Sequence, residues 1–348
     1  MNKPNQREIW FICSGMGSQW KGMGISLLKI PVFSQSIDEC TEALKGYNFN
    51  VKDFLMNTDS PGYEYIHTTM AAITAIQIGL IDVLRFVGVR PSGIIGHSAG
   101  EIVCGYADEC LTLEETIRVA YLMGKCISES NLPTGAMALV ALSLDKYLEM
   151  YNDNELDLAC ENGDDSIIIA GPVANVLLMV ESLKNKGFFT LVLDTKKIAY
   201  HSRLMQLVHS TLLQEVSKVI PNPKPLSKKW ISTSVDLKDC NQSACANDKE
   251  VQTLCSGEYY ANNFLSVVRL QNALKRIPEK AITIEIAPRG MLQSILKHAI
   301  PNCERLTIAD KGEANGMETL YACLDRLRSL GQAVRNEPPS VNLLRKKD

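Results

Sequence analysis

Apolar positions along this chain fall into two rhythms. Short unbroken runs, Glu8 to Ser14 and Gly93-Ile94-Ile95, read as buried strands. The first runs into Gly15-Met16-Gly17, a turn that only small residues make tightly. Longer stretches carry apolar residues at helical spacing: Met23 to Ile30, His67 to Val87 and Thr112 to Ser128. Glu101 to Tyr106 also reads as helix. It follows Gly93-Ile94-Ile95 and Ser98 directly, so this stretch is strand, sharp turn, helix.

The middle of the chain changes character. Ala136 to Leu142 reads as a strand and Leu144 to Tyr151 as a helix. Leu156 to Ala159 and Ser166 to Ala170 are strands, with Asn162-Gly163-Asp164 expected to turn between them. Val173 to Lys186 is a helix and Phe189 to Leu193 a strand. The order β-α-β-β-α-β is ferredoxin-like and predicts a compact inserted unit. Helix His201 to Val219, strands Trp230 to Ser234 and Ala281 to Glu285, and helices Arg289 to His298 and Glu318 to Ser329 then return to a large sheet. Asp236 to Gly257 is polar and reads as a surface loop; no internal repeat is visible.

Composition narrows the class. The 348 residues suffice for one large domain or two modest ones. With 46% hydrophobic and 22% charged residues, the balance is that of a soluble globular protein. A net charge of -3 points to no nucleic-acid or membrane-surface partner. Met1 to Glu8 is polar and lacks the apolar core of a signal peptide, and no apolar run approaches the roughly 20 residues of a membrane span. Eleven cysteines without a CxxC pair read as buried or free thiols in a reducing compartment. A cytoplasmic location is expected. Trp10-Phe11-Ile12 opens a strand almost at once, while Asn336-Glu337-Pro338-Pro339-Ser340 and Arg345-Lys346-Lys347 resemble linker, so a piece of a longer multidomain protein is expected.

Gly96-His97-Ser98-Ala99-Gly100 matches G-x-S-x-G, and its setting between strand and helix makes Ser98 the candidate nucleophile. The glycines are expected to permit a strained backbone and to keep side chains off the serine. A serine hydroxyl needs a base. Of the five histidines, His97 should be turned away by the elbow and pack, and His67, His209 and His298 read as satisfied polar or surface residues. His201, in Ala199-Tyr200-His201-Ser202 at the junction of the inserted unit and the returning core, can face the cleft between them. The residues alone leave its role as base undecided. A tetrahedral oxyanion needs two N–H donors, expected from the backbone of Ala99 and Met16. No Asp or Glu stands out as a third triad member, so a backbone carbonyl is the expected orienter of the histidine. No His/Cys/Asp/Glu cluster suggests a metal.

Taken in order, several segments resemble the malonyl/acetyl transferase domain of animal fatty acid synthase and related polyketide synthases, over about Ile9 to Leu330. They are Phe11-Ile12-Cys13-Ser14-Gly15-Met16-Gly17-Ser18-Gln19-Trp20, Gly96 to Asp108, Leu132 to Ala138, Tyr200-His201-Ser202, Asn262-Asn263 and Glu285-Ile286-Ala287-Pro288. The resemblance implies an α/β-hydrolase-like core with a parallel sheet over 1–132 and 198–330, a ferredoxin-like subdomain over 133–197, and a linker or tail over 331–348. It implies His201 as base and a ping-pong reaction. Ser98 would be acylated from a coenzyme A thioester and pass the group to the phosphopantetheine thiol of an acyl carrier protein. Gln19, His97, Met123 and Tyr200 would face the substrate. No bound cofactor is expected; the partners are the carrier protein and flanking synthase domains, and the isolated chain is expected to be a monomer.

One departure bears on the cargo. Malonyl-using members carry an arginine 25 residues after the nucleophilic serine, where this chain has Met123. Arg118 and Lys125 lie nearby in sequence but should not reach that point. Methionine offers a carboxylate no donor, and burying one against it costs several kcal/mol. Acetyl, propionyl or a short branched acyl group is therefore the expected cargo. Malonyl or methylmalonyl held by another cation, a degenerate scaffold, and an ester or thioester hydrolase are the alternatives. Val267 where the family often has proline, and Tyr200 where it has phenylalanine, are smaller departures.

Overall fold

The computed structural model describes residues 7–151, 155–235, 252–311 and 317–335. Its strands are β1 Ile9–Cys13, β2 Gly93–Gly96, β3 Gly135–Val140, β4 Asp157–Gly163, β5 Ser166–Pro172, β6 Thr190–Val192, β7 Lys224–Pro225, β8 Trp230–Ile231, β9 Leu254–Cys255, β10 Ile282–Ile286 and β11 Glu304–Thr307. One sheet runs β11-β10-β1-β2-β8 and is parallel at every pairing. β1 is buried throughout, as a central strand covered by helices on both faces must be. A second sheet, β4-β5-β3-β6, is antiparallel and has the ferredoxin-like order. The fold is thus the expected α/β core with a small subdomain. β11 and the β7–β9 pair were not foreseen; β9 lies inside the stretch read as loop, whose residues 236–251 fall outside the described residues.

Local chemistry explains where the elements begin and end. Gly22 and Gly24 take left-handed φ of 93° and 79°, and Ile30 is held extended before Pro31. The expected helix from Met23 to Ile30 is therefore only a 3-10 turn at Ser26–Lys29, and the true helix is Pro31–Ala43 with proline in its first turn. Helix Leu113–Glu129 starts on a capping box, Thr112 with Glu115. Its outer face carries the pairs Arg118–Glu114 and Lys125–Glu129.

Helix Ile66–Phe86 corrects the statement that nothing approaches a membrane span, because by length and composition it could cross one. Here it is a core helix, buried at seventeen of its 21 positions. It packs against helices Pro31–Ala43 and Leu113–Glu129. Its Gln77 Nε2 donates to the carbonyls of Ser14 (2.7 Å) and Ile286 (2.8 Å), joining the C-terminal ends of β1 and β10. At the far end of the chain, residues 332–335 still pack on the core: Gln332 Nε2 donates to Arg7 O and Arg335 N–H to Val87 O. The nine described cysteines are all buried free thiols.

Candidate active site

In a parallel sheet every strand delivers its following loop to the same end, where ligands bind. β1 hands over to Ser14–Gly17 and β2 to His97–Ser98, and the last ladder bond, His97 N–H to Cys13 O at 2.9 Å, holds the two exits side by side. The backbone strain sits on Ser98 itself, with φ +56°, and neither Gly96 nor Gly100 has a positive φ. Those glycines are required for space. A Cβ on Gly100 would lie 2.0 Å from Cys13 O, and one on Gly15 would lie 2.7 Å from His97 O.

Ser98 Oγ is 2.7 Å from His201 Nε2. His201 also has a left-handed backbone (φ +58°), so it precedes its helix and does not begin it. A 3-10 turn, Arg203–Met205, intervenes before Gln206–Val219. The imidazole is buried (2% exposed), stacks on Phe264, and its Nδ1 donates to Ser266 O at 2.9 Å. A carbonyl only accepts, so Nδ1 carries the proton and Nε2 presents its lone pair to the serine. Burial lowers the His201 pKa to about 4; the Ser266 carbonyl opposes this and nearby His97 adds to it. The ring is therefore neutral at pH 7 and able to accept a proton.

Three side chains brace the first loop. Ser18 Oγ donates to Gly15 O (2.9 Å), Gln19 Oε1 accepts from Gly17 N–H (2.6 Å), and Arg289 Nη2 donates to Gly17 O (2.8 Å). Among the described residues, the N–H groups of Met16 and Ala99 have no hydrogen-bond partner.

The other expected residues fall into place unevenly. His97 Nε2 meets Asn162 Oδ1 at 2.8 Å. Asn162 was read as part of a turn, but the pairing Gly163↔Ser166 puts it in β4, buried and reaching across from the small subdomain. Tyr200 is buried with its ring 5.7 Å from Phe264. Met123 is fully buried. Arg118 binds Ala43 O and Glu114, and Lys125 pairs with Glu129, so both cations are engaged elsewhere. His67, on the first turn of its helix, has a buried Nδ1 without a partner among the described residues, whereas His209 and His298 are satisfied.

Sequence reasoning missed the residues that frame the pair. Asn263 Nδ2 donates to Ser98 O (3.1 Å), Phe264 O accepts the His201 N–H (2.9 Å), and Ser266 O holds the ring, so one short segment grips both members. Glu101, fully buried after the elbow, accepts from Trp230 Nε1, the Thr233 N–H and hydroxyl, and Tyr259 OH. Burial raises its pKa against these four donors. A buried carboxylate on the helix behind a motif serine was the one signal that could have been followed.

An acyl transferase domain model matches residues 10–333. The chain belongs to the acyl transferase domain family. Over 310 residues it is 32% identical to a highly reducing polyketide synthase of Emericella nidulans, covering 83% of this chain and 12% of that protein. Over 352 residues it is 26% identical to a highly reducing polyketide synthase of Gibberella zeae, covering 95% of this chain and 14% of the other. The chain thus spans about an eighth of the length of these relatives. Its fold is similar to that of a loading acyltransferase from the avermectin modular polyketide synthase, with TM-score 0.78, 24% identity, and coverage of 92% and 99%.

Proposed function

We propose that this acyltransferase domain takes an acyl group from a coenzyme A thioester onto Ser98 and hands it to the phosphopantetheine thiol of an acyl carrier protein. The observation that carries the reading is the 2.7 Å contact of Ser98 Oγ with a neutral, carbonyl-oriented His201. His201 accepts the Ser98 proton as Oγ attacks the thioester carbonyl. The N–H groups of Met16 and Ala99 receive the oxyanion, and the His201 proton leaves with the coenzyme A thiolate. The carrier thiol then attacks the ester, giving its proton to His201, which returns it to Ser98. Gln19 acts through the loop it braces, and His97, Met123 and Tyr200 surround the acyl end. The core of 1–132 and 198–330 and the 133–197 subdomain belong to the same reading, with the expected 331 boundary moved because residues 332–335 still pack on the core; so do a cytoplasmic location and flanking synthase domains.

Uncharged acyl groups fit Met123 best. One observation favours a carboxylated group instead: Arg289 Nε is buried without a partner among the described residues, beside the Gly15–Gly17 loop. Intact-mass analysis after incubation with acetyl-CoA should find an acetyl group that Ser98→Ala abolishes. No acylation from any acyl-CoA would instead support a scaffold, and rapid free-acid release in the presence of carrier protein would support a hydrolase.

A further inference from the structure

Each expected oxyanion donor belongs to a peptide whose carbonyl is held from behind by a buried side chain. The Met16 N–H shares its peptide with Gly15 O, which accepts from Ser18 Oγ at 2.9 Å. The Ala99 N–H shares its peptide with Ser98 O, which accepts from Asn263 Nδ2 at 3.1 Å and from the Glu101 N–H at 3.1 Å. Ser18 and Asn263 are both fully buried, and Asn263 Oδ1 is itself fixed by the Ser234 hydroxyl. No described peptide bond is cis. In a planar trans peptide the C=O and N–H point in opposite directions, so fixing one aims the other.

We propose that Ser18 and Asn263 are paired positioning residues that aim the Met16 and Ala99 N–H groups at the oxyanion of the acyl-transfer intermediate. Neither need touch the substrate. Each acts through one peptide plane, and the two peptides lie close together, since a Cβ on Gly15 would sit 3.0 Å from Ala99 N. Ser98 is left-handed, a sparsely populated conformation for serine, so its peptide plane needs an external tie to hold its tilt.

The inference rests on the acyl-serine reading, and single-turnover acylation of the 348-residue chain by acetyl-CoA tests both. Ser18→Ala and Asn263→Asp each remove one tie with little change of shape; the aspartate keeps the acceptor for Ser234. Each should slow acylation by about 10- to 100-fold, less than outright loss of an oxyanion donor, while half-saturation by acetyl-CoA stays within about two-fold. Ser18→Thr, which restores the hydroxyl, should recover most of the rate. Thermal melting of every variant separates aim from folding. A wild type that takes no acetyl on Ser98 overturns both readings. Overturning the positioning role alone requires wild-type acylation rates in Ser18→Ala and Asn263→Asp, or a Ser18→Thr that melts like wild type yet is as slow as Ser18→Ala.

Discussion

His201 Nδ1 donates to the carbonyl of Ser266, 65 residues later, and that bond decides which nitrogen faces Ser98. A backbone carbonyl does here what a carboxylate does in a Ser-His-Asp triad: it sets the tautomer and the ring plane. It carries no full charge, so it lifts the imidazole pKa less than an aspartate would, and burial dominates.

A pH dependence follows from that balance. The base works only when neutral, and its pKa lies at about 4, below the usual 6.5 for histidine. The acylation rate should therefore hold steady from neutral pH down to about pH 5 and fall by half near pH 4. The stability effect has the same sign. A depressed histidine pKa means the unfolded chain binds the extra proton, so His201 lowers stability as pH falls from 6.5 toward 4. Rapid-quench acylation across pH 3.5 to 8 checks the first point; an acid limb centred near 6.5 would remove the role assigned to burial.

Met123→Arg tests cargo choice. Wild type should favour acetyl- over malonyl-CoA in direct competition. The arginine should move that ratio toward malonyl by about 10²-fold, from a charged pair of a few kcal/mol. Arg289→Gln should slow malonyl transfer more than acetyl transfer if Arg289 Nε receives a carboxylate, while any loss common to both cargoes reports the brace it gives Gly17 O. A wild type that already prefers malonyl, with Met123→Arg indifferent, would show that Met123 does not select.

Glu101→Gln should destabilise the chain by about 1–3 kcal/mol in urea unfolding. The amide nitrogen would face donors from Trp230, Thr233 or Tyr259, leaving at least one buried N–H or O–H unpaired. A neutral result would mean that the carboxyl is already protonated and serves as a donor.

Gly100→Ala should cost about 3 kcal/mol or more and abolish acylation. The added methyl would lie 2.0 Å from Cys13 O, driving the elbow off the end of β1. Equal activity and melting temperature in the variant would refute the close packing drawn here.

The parts of this protein legible in its residues are those whose cause is local. The Ser98 elbow needs only a buried strand, a tight turn and a helix in succession, and the βαββαβ order of 133–197 follows from consecutive periodicities. Where boundaries failed, a local backbone demand overrode the pattern. Pro31 and two left-handed glycines cancelled the Met23–Ile30 helix, and the left-handed His201 delayed the next one.

What brings the chemistry together is not local. Asn162 meets His97 across 65 residues, Asn263 meets Ser98 across 165, and a carbonyl at 266 chooses the tautomer of His201. Backbone carbonyls and N–H groups are the same in every residue, so no residue pattern records which of them will face a serine. The sequence by itself marked Ser98 as the candidate nucleophile, laid out the βαββαβ unit and most strands of the large sheet, and placed Met123 25 residues after that serine. Only the tertiary structure decided the protonation of the base and the tilt of the two peptide planes, because both depend on burial and hydrogen bonds between segments that meet only once the sheet has formed.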